Sequence, residues 1–489
     1  MLIGHKKFKF CLRICSWLMM VKLSFAVFGS DGFVAGPLFG QFSLTLDSGH
    51  RTEAVGPFFY SQEIDSGKTW AIPPLFSHDS DPAVEMKEYN VLYPVLTCER
   101  FGTEYRWQLG QLLSFSGGED PRGFSEKRFT LFPLYFQQRS SNASENYTAL
   151  VPFYGHLKNR LFRDGIFFVM FPIYSETRKR DVITENYLYP FFDVSRGNGM
   201  HGWQFWPLVG AKHKVVTTQT NGFGEVETVA GYDKFFALWP IHFYQNTGIG
   251  TGDPAKFRAD LPFYAVLRSP KRDSTSVLWP FFTWVDDREE KYHEWEGPYP
   301  LVVVARGAGK TTTRVWPLFS RAHNDTLESD YYLWPLYRYD WLHSGALDYR
   351  RTRILIYLFA NVTEKNVDTG SQRRRVDLWP FFDYHRDFNG NQRLQILALI
   401  EPVLPNNQGV ERNWSPLWSL WRSESNPQSG ATSQSLLWNF YRRDRSPGAK
   451  NFSLLFGLFQ YQSDAKLGKL RLLYLSALKW HLPAETATK

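Results

Sequence analysis

A five-residue pattern recurs along almost the whole chain and constrains the fold more than any other feature. It consists of an aliphatic residue, an aromatic residue, a proline and two further apolar residues. Clear copies occupy residues 188–192, 278–282, 315–319, 333–337 and 378–382. Successive prolines of the pattern are mostly roughly 19 residues apart, and such a fixed internal period indicates one repetitive body rather than several unrelated domains.

The repeat predicts β-strands. Its apolar centres are rich in aromatic residues, which favour a pleated sheet, whereas a proline inside a helix costs ~3 kcal/mol. Turn-forming stretches separate the centres, at residues 65–68, 196–199, 306–309 and 389–391. Short turns of this kind join antiparallel strands, since parallel neighbours need crossovers of a dozen residues or more. We therefore predict an all-β, antiparallel up-and-down meander.

The number of strands follows from where the prolines lie. With each proline at the centre of a strand, ~19-residue aromatic-Pro repeats predict roughly 22–24 strands. Proline cannot donate a hydrogen bond to the ladder and is normally confined to edges, strand starts or bulges. We therefore expect each strand to bend or bulge at the same level of a closed or rolled sheet.

Alternation along each strand separates two faces. Around Pro380, one face carries Leu378 and Phe382, while the other carries Asp383 and His385. Around Pro335, Arg338 and Asp340 likewise lie opposite the proline face. The proline face is apolar and aromatic, and the opposite face mixes apolar and charged residues.

An apolar face with aromatic residues along it resembles the transmembrane β-barrels of bacterial outer membranes, which have lipid-facing apolar bands and a more polar interior. The stretch from Leu470 to Trp480 resembles the aromatic-ended last strand of such barrels. The resemblance implies a conduit or a structural envelope component in the outer membrane of a Gram-negative-type bacterium. It also implies membrane lipid and the outer-membrane assembly machinery as partners. The candidate lumen-facing residues are then Arg338, Asp340, Asp383 and His385.

The N-terminus supports export. A basic start at residues 5–9 precedes the apolar stretch 14–28, and Ser24-Phe25-Ala26 has the small-x-small form of a cleavage site. We predict a signal peptide at residues 1–26 and a single repetitive β domain at residues 27–489, with a membrane-anchoring helix as the alternative for the first segment. This segment also carries much of the formal charge of +8.

Several other functions lack support in the sequence. The stretch 301–312 has the valine Val304 where a phosphate-binding loop needs its first glycine, so a hairpin turn is predicted there. Basic residues lie in turns while aromatic residues lie in apolar centres, which disfavours nucleic-acid binding. Histidines and cysteines show no metal-ligand spacing, and Cys98 is the single thiol of the predicted domain. We expect no enzyme activity and no cofactor.

The same repeat is compatible with a second class of protein. A soluble extracytoplasmic β-repeat, such as a propeller or a solenoid, would bury the apolar centres in an ordinary core and display its turns as an interaction surface.

Overall fold

The computed structural model describes residues 34–120, 123–220, 224–464 and 467–481, and these residues form an antiparallel β-meander. The predicted signal peptide lies outside the described residues, as does the tail 482–489. In the described part of the chain, 44 strands belong to one sheet and two form a separate hairpin. The prediction of an all-β antiparallel meander is confirmed.

The first half of the chain contains strands β1 to β23. They are β1 Val34–Ala35, β2 Phe39–Ser43, β3 Gly49–Ala54, β4 Phe59–Ile64, β5 Lys68–Ile72, β6 Phe76–Asp81, β7 Met86–Val91, β8 Leu96–Phe101, β9 Glu104–Leu109, β10 Leu113–Glu119, β11 Ser125–Leu131, β12 Tyr135–Ser140, β13 Tyr147–Leu150, β14 Tyr154–Arg160, β15 Arg163–Val169, β16 Tyr174–Lys179, β17 Val182–Tyr187, β18 Phe192–Gly197, β19 Met200–Phe205, β20 Val209–Lys214, β21 Thr217–Thr220, β22 Val226–Val229 and β23 Gly231–Ala237.

The second half contains β24 to β46 and two short helices. The strands are β24 His242–Ile249, β25 Ala255–Asp260, β26 Tyr264–Arg268, β27 Arg272–Val277, β28 Phe282–Asp287, β29 Tyr292–Glu296, β30 Val302–Gly307, β31 Thr311–Val315, β32 Phe319–His323, β33 Leu327–Tyr332, β34 Tyr337–Ser344, β35 Leu347–Ile354, β36 Phe359–Asn366, β37 Gln372–Leu378, β38 Phe382–Arg386, β39 Gln392–Ile396, β40 Trp421–Asn426, β41 Ala431–Leu436, β42 Tyr441–Ser446, β43 Ala449–Leu454, β44 Phe459–Ser463, β45 Leu467–Leu472 and β46 Leu475–His481. Helices α1 Gln408–Asn413 and α2 Ser415–Trp418 lie in the connection between β39 and β40.

The prolines of the repeat lie in turns and not at strand centres, so this part of the sequence prediction was wrong. In residues 278–281, for example, Leu278 has a left-handed backbone with φ of 49° and a cis peptide bond joins Trp279 to Pro280. Leu188 and Leu333 have the same backbone, with φ of 51° and 46°. A left-handed residue reverses the chain rather than continuing a strand. The ladder therefore avoids the proline and needs no row of bulges.

The strand count was wrong for the same reason. Each repeat contains two strands, one on each side of the proline turn, so the described residues contain 46 strands instead of roughly two dozen. The stretch from Leu470 to Trp480, expected to be one strand, is divided between β45 and β46 by a turn at residues 473–474. Leu470 lies opposite Leu478 across that hairpin.

The alternation of turns gives the sheet two chemically different edges. Consecutive strands pair antiparallel, so every second connection lies on the same edge. Connections such as 188–191, 238–241 and 278–281 all fall on one side, which we call the aromatic–proline edge. Connections such as 180–181 and 198–199 fall on the other side, the polar edge.

The two faces of the sheet also differ. In β18 and β19, Val194 lies opposite Trp203 on an exposed face, which we call the outer face. Asp193 and Ser195 lie on the other, inner face and are buried. Among the described residues, the buried side chains are more often polar or charged than apolar, whereas exposed large apolar side chains are abundant. This distribution is the reverse of that of an ordinary soluble core.

The two ends of the meander lie against each other. The backbone N–H of Gly36 donates to the carbonyl oxygen of Phe456 at 2.7 Å. Asn439 donates from Nδ2 to Glu53 Oε2 at 2.6 Å, and the Arg442 guanidinium lies 3.3 Å from the centre of the Phe42 ring. In the described residues β1 pairs with β2 and β46 pairs with β45, so these contacts join the ends without a strand ladder.

Small inner-face residues are required where neighbouring strands crowd. A Cβ on Gly155 would lie 2.3 Å from the Cβ of Ala149, beside the buried cluster of Tyr147, Leu157 and Phe168. We expect Gly155→Ala to lower the free energy of unfolding by about 1–3 kcal/mol, because overpacking forces neighbours to shift. Chemical denaturation followed by circular dichroism measures this. Gly40→Ala is the control, since that Cβ meets no atom within 4 Å, and equal losses in both variants would contradict the crowding.

Candidate functional site: an apolar edge and an interior charge network

The aromatic–proline edge exposes large apolar side chains in turn after turn. In the turn at residues 278–281, Leu278, Trp279 and Phe281 are 49%, 44% and 51% exposed. The left-handed leucine and the turn direct these side chains away from the sheet, where no neighbouring strand covers them. The corresponding residues of most other copies are exposed as well, including Leu188, Phe191, Trp239, Trp334, Leu336 and Phe381.

Aromatic rings from successive turns contact one another and make this edge continuous. The ring centres of Trp206 and Trp239 are 5.6 Å apart, and those of Trp316 and Trp334 are 6.3 Å apart. These distances lie within the range of favourable aromatic pairs. The edge therefore presents a connected apolar rim instead of isolated exposed residues.

The apolar character continues onto the outer face but stops within a few positions. In β18 the outer-face side chains run from Phe192 beside the edge to Val194 and then Arg196. In β19 the corresponding order is Phe205, Trp203 and His201. The apolar surface is thus a band along one edge, bounded by polar and charged side chains towards the polar edge.

The four predicted interior residues share the inner face. Residues that lie opposite one another on successive strands form a row across the sheet. One such inner row consists of Arg338, Arg353, Ala360, Asp377 and Asp383. The neighbouring inner row runs from Asp340 through Arg351, Val362 and Arg375 to His385. Their common face follows from the register; their role as lumen residues stays a prediction.

These four residues form two separate clusters. Asp340 accepts hydrogen bonds from Arg338 Nε at 2.9 Å and from Arg351 Nη2 at 3.0 Å, so it is held by arginines of two strands. Asp383 is buried and its Oδ1 lies 3.0 Å from His385 Nε2. Three strands separate Asp340 in β34 from Asp383 in β38.

A buried carboxylate pair lies at the second cluster. Asp377 and Asp383 lie directly opposite each other, and Arg375 contacts Asp377 at 3.0 Å through Nε and 2.6 Å through Nη2. Burial raises the pKa of Asp377 to about 8, with its hydrogen bond to Asp383 adding to the effect and Arg375 opposing it. For Asp383, burial is the largest single effect and acts in the same direction, but the hydrogen bonds from His385 and Asp377 together with the positive charge of Arg393 outweigh it, and the pKa falls to about 2. One proton is thereby shared unequally between the two carboxyl groups.

The same residues resemble a metal-ligand set in composition but not in charge. Potential ligand atoms of Asp377, Asp383 and His385 lie within 4.8 Å of one another. However, Arg375 occupies both oxygens of Asp377, and Arg393 Nη2 lies 3.9 Å from Asp383. These two guanidinium groups supply the positive charge that a cation would bring, so the cluster is an arginine–carboxylate network.

Removing the Asp377 carboxyl is expected to change how stability depends on pH. A carboxyl group whose pKa is raised on folding binds its proton more tightly in the folded state. Its stabilising contribution is complete when the pH is below the pKa of the unfolded state, and it is lost as the pH rises towards 8. The free energy of unfolding of Asp377→Asn, taken relative to that of wild type, should therefore rise by about 1–3 kcal/mol as the pH is raised from 5 to 9. Thermal unfolding across that range tests this. Asp273→Asn is the control, since hydrogen bonding to Arg288 lowers the pKa of Asp273 and the difference should stay constant above pH 5.

Arg412 links the two ends of the sheet through charge. It extends from α1 to the first strands, where Nη1 lies 3.0 Å from Asp79 Oδ2 and Nη2 lies 2.5 Å from Glu88 Oε2. Tyr60 donates a hydrogen bond to the Arg412 carbonyl oxygen at 3.1 Å. The guanidinium is largely buried, so both carboxylates depend on it for their neutralisation.

The helical connection is held in place from both sides. Tyr93 donates to Asn407 Oδ1 at 3.0 Å, and Trp414 Nε1 donates to the Tyr93 carbonyl oxygen at 2.9 Å. On the other side, buried Glu401 accepts hydrogen bonds from Gln395 and Trp418 at 2.8 and 3.0 Å. The connection therefore docks as an ordered bridge between β39–β40 and the first strands.

Sequence reasoning missed this bridge and most of the inner charges. Pro416 precedes Leu417 and Trp418 and so looks like another copy of the repeat, but it lies in the first turn of α2. A usable signal did exist: opposite charges two residues apart on one strand, as in Arg422 with Glu424 and Arg442 with Asp444, which pair at 2.6 and 2.8 Å. Residues two apart on a strand share a face, so this spacing indicates ion pairs along the inner face.

The single thiol of the described residues is not a reactive group. Cys98 is buried, and burial raises the pKa of its thiol to about 11. The nucleophilic thiolate is therefore scarce at neutral pH.

Across the described ranges, the helices are too short and too polar to cross a bilayer. No protein-family model matches this chain, and no curated protein matches it.

Proposed function

We propose that this protein is an exported envelope protein that is embedded in membrane lipid through its aromatic–proline edge. The observation that carries the proposal is the repeated exposure of leucine, tryptophan and phenylalanine along that single edge. Contiguous exposed apolar surface of this extent marks an interaction site. Tryptophan and tyrosine are also the residues enriched where proteins meet the membrane–water interface.

The distribution of polar and apolar side chains supports membrane lipid as the surroundings of the apolar surface, in preference to burial in a soluble protein core. Burial of polar side chains on the inner face and exposure of apolar ones on the outer face suit a protein whose surroundings are apolar on the outside. The polar edge, by contrast, carries turns such as residues 65–67 and 288–291, which suit contact with water. The molecule is thus polarised along the strand direction, as a protein at an interface must be.

The outer-membrane β-barrel predicted from the sequence is a more specific form of this proposal. The ends of the sheet contact each other without a strand ladder, an arrangement that is compatible with a rolled sheet. In this form the protein would be a conduit or a structural component of an outer membrane, inserted by the outer-membrane assembly machinery, with Arg338, Asp340, Asp383 and His385 facing the interior.

Strand length favours insertion of the edge to a limited depth. Apart from β1, the strands have 4 to 8 residues, whereas a strand that crosses a bilayer needs about 9–11. The charged side chain of Arg196 and the polar side chain of His201 also follow closely on the apolar band. Both features suit an edge that enters one leaflet while the polar edge stays in water.

Flotation with lipid vesicles tests the proposal. The purified chain should rise with the vesicles and resist extraction by carbonate, and brominated acyl chains should quench its tryptophan fluorescence most strongly at shallow bromine positions. Quenching that is equally strong at the bilayer centre would favour the spanning form. A chain that stays with the aqueous fraction and dissolves as a monomer without detergent would contradict membrane embedding and favour the soluble interaction module.

A further inference from the structure

An apolar groove opens at the aromatic–proline edge near the middle of the chain. Its volume is about 680 Å³, and its lining includes Trp239, Pro262 and Trp279 from three edge turns and Phe243 and Phe257 from the sheet. This volume lies within the range of small-molecule sites, about 300–1,000 Å³. Gln245 is the polar side chain of the lining.

The groove arises from a local change in the composition of the inner face. In β17 and β18 the inner row beside the edge carries the polar residues Asn186 and Asp193. Here the same row carries Phe236 and Phe243, followed by the small buried residues Ala259 and Ala265. Because the two alanine side chains are small, the space beside the neighbouring aromatic rings stays open, which makes a groove with apolar walls.

Lysines lie at the end of the groove away from the edge. Lys234 is exposed and lies directly opposite Gln245 in the ladder between β23 and β24. On its other side Lys234 lies opposite Lys212, whose Nζ is 3.3 Å from Asp193. Asp193 offsets the charge of Lys212, so Lys234 is the cation of this pair that can meet an anion from outside the chain.

Lys234 also retains the freedom to meet such an anion. Its Nζ lies 4.8 Å from the centre of the Tyr232 ring, and in the described part of the chain no carboxylate lies within ion-pairing distance of it. A cation over an aromatic ring keeps much of its charge available to a second partner.

We propose that this groove binds one anionic membrane lipid, with an acyl chain along Phe243 and Phe257 and the head-group phosphate at Lys234. The inference rests on the proposed function, because the groove opens at the edge that lies in lipid. Apolar walls and a cationic end, at opposite ends of one groove, match the two parts of such a lipid. A lipid entering sideways from the membrane keeps its acyl chain out of water throughout.

Lipid retention by the full chain tests this inference separately from membrane embedding. The protein is reconstituted in vesicles of phosphatidylcholine with phosphatidylglycerol, extracted in detergent, and examined by native mass spectrometry for retained lipid. We expect phosphatidylglycerol to be retained at least tenfold over phosphatidylcholine. Lys234→Glu and Gln245→Glu should each reduce this retention about tenfold, because each adds negative charge at the phosphate position.

Lys256→Glu is the matched control. Lys256 is exposed on the adjacent strand β25, but it lies on the outer face opposite Asn246, so its retention of lipid should equal that of wild type. Flotation of all three variants should be unchanged, since none alters the edge.

Each alternative result has a definite meaning. Equal retention by wild type and Lys234→Glu would overturn the proposal, as would equal retention of the two lipids. Retention of added oleate in place of phosphatidylglycerol would overturn the assignment to a membrane lipid and indicate a free fatty acid. Loss of flotation by wild type would contradict the proposed function itself, whereas intact flotation without lipid retention would overturn this inference alone.

Discussion

Replacing the tryptophans of four edge turns by serine is expected to release the protein from membranes. In Trp239, Trp279, Trp334 and Trp379 about half of the residue is exposed, and this exposed half is available to lipid. Transfer of an exposed large apolar side chain into an apolar environment is worth about 1.5–3 kcal/mol when burial is complete. Allowing about 1 kcal/mol for each partly exposed ring, the quadruple variant should bind vesicles at least 100-fold more weakly. Vesicle titration followed by sedimentation measures this.

The polar edge offers a matched control for that experiment. Leu161 and Phe162 form the turn between β14 and β15, and they are 75% and 96% exposed. Because they lie on the edge opposite the aromatic–proline edge, Leu161→Ser and Phe162→Ser should leave vesicle binding within about twofold of wild type. Equal weakening by the two sets of substitutions would mean that exposed apolar residues bind lipid wherever they lie, and the proposed orientation would fail.

Removing the side chain of Arg412 is expected to separate the two ends of the sheet. Arg412→Ala leaves Asp79 and Glu88 largely buried and without the cation that contacts both of them. Breaking a buried ion pair by removing one partner typically costs 3–5 kcal/mol, because the remaining charge stays in a poor solvent. We expect a loss of about 3 kcal/mol in the free energy of unfolding, measured by chemical denaturation.

A distance measurement separates this effect from a general loss of stability. Spin labels at Lys68 and Lys450, which are exposed near opposite ends of the chain, should give a broader and longer distance distribution in Arg412→Ala than in wild type. Lys271→Ala is the control, since Lys271 pairs with Glu289 in an exposed position where solvent screens the charges, and its stability and distance distribution should stay close to those of wild type. An unchanged distance together with unchanged stability would show that the ends are held by other contacts.

The class of the fold and the separation of its faces followed from local chemistry. Aromatic residues and proline at a fixed period excluded a helical repeat, and short polar turns predicted antiparallel neighbours. Alternation placed Asp383 and His385 together on a face, and the register agrees. These properties depend on residues that are close in the chain, so they are encoded in any short window of the sequence.

Local composition could not decide whether the prolines lie in strands or in turns. An aliphatic–aromatic–proline–apolar run has the composition of a strand centre, and its composition does not reveal that a residue such as Leu278 turns to φ of 49°. That one backbone choice doubles the number of strands and moves the apolar residues from the middle of the sheet to a single edge.

The sequence by itself determined that this chain is a repetitive antiparallel β-protein with chemically distinct faces, because pleat alternation and turn preference act over a few residues. The tertiary structure alone decided which residues meet across the ends of the sheet. Arg412 lies hundreds of positions from Asp79 and Glu88, and Tyr93 is equally far from Asn407. Such pairs are set by the accumulated twist and curvature of all the strands between them, a sum of small local rotations that no local pattern records.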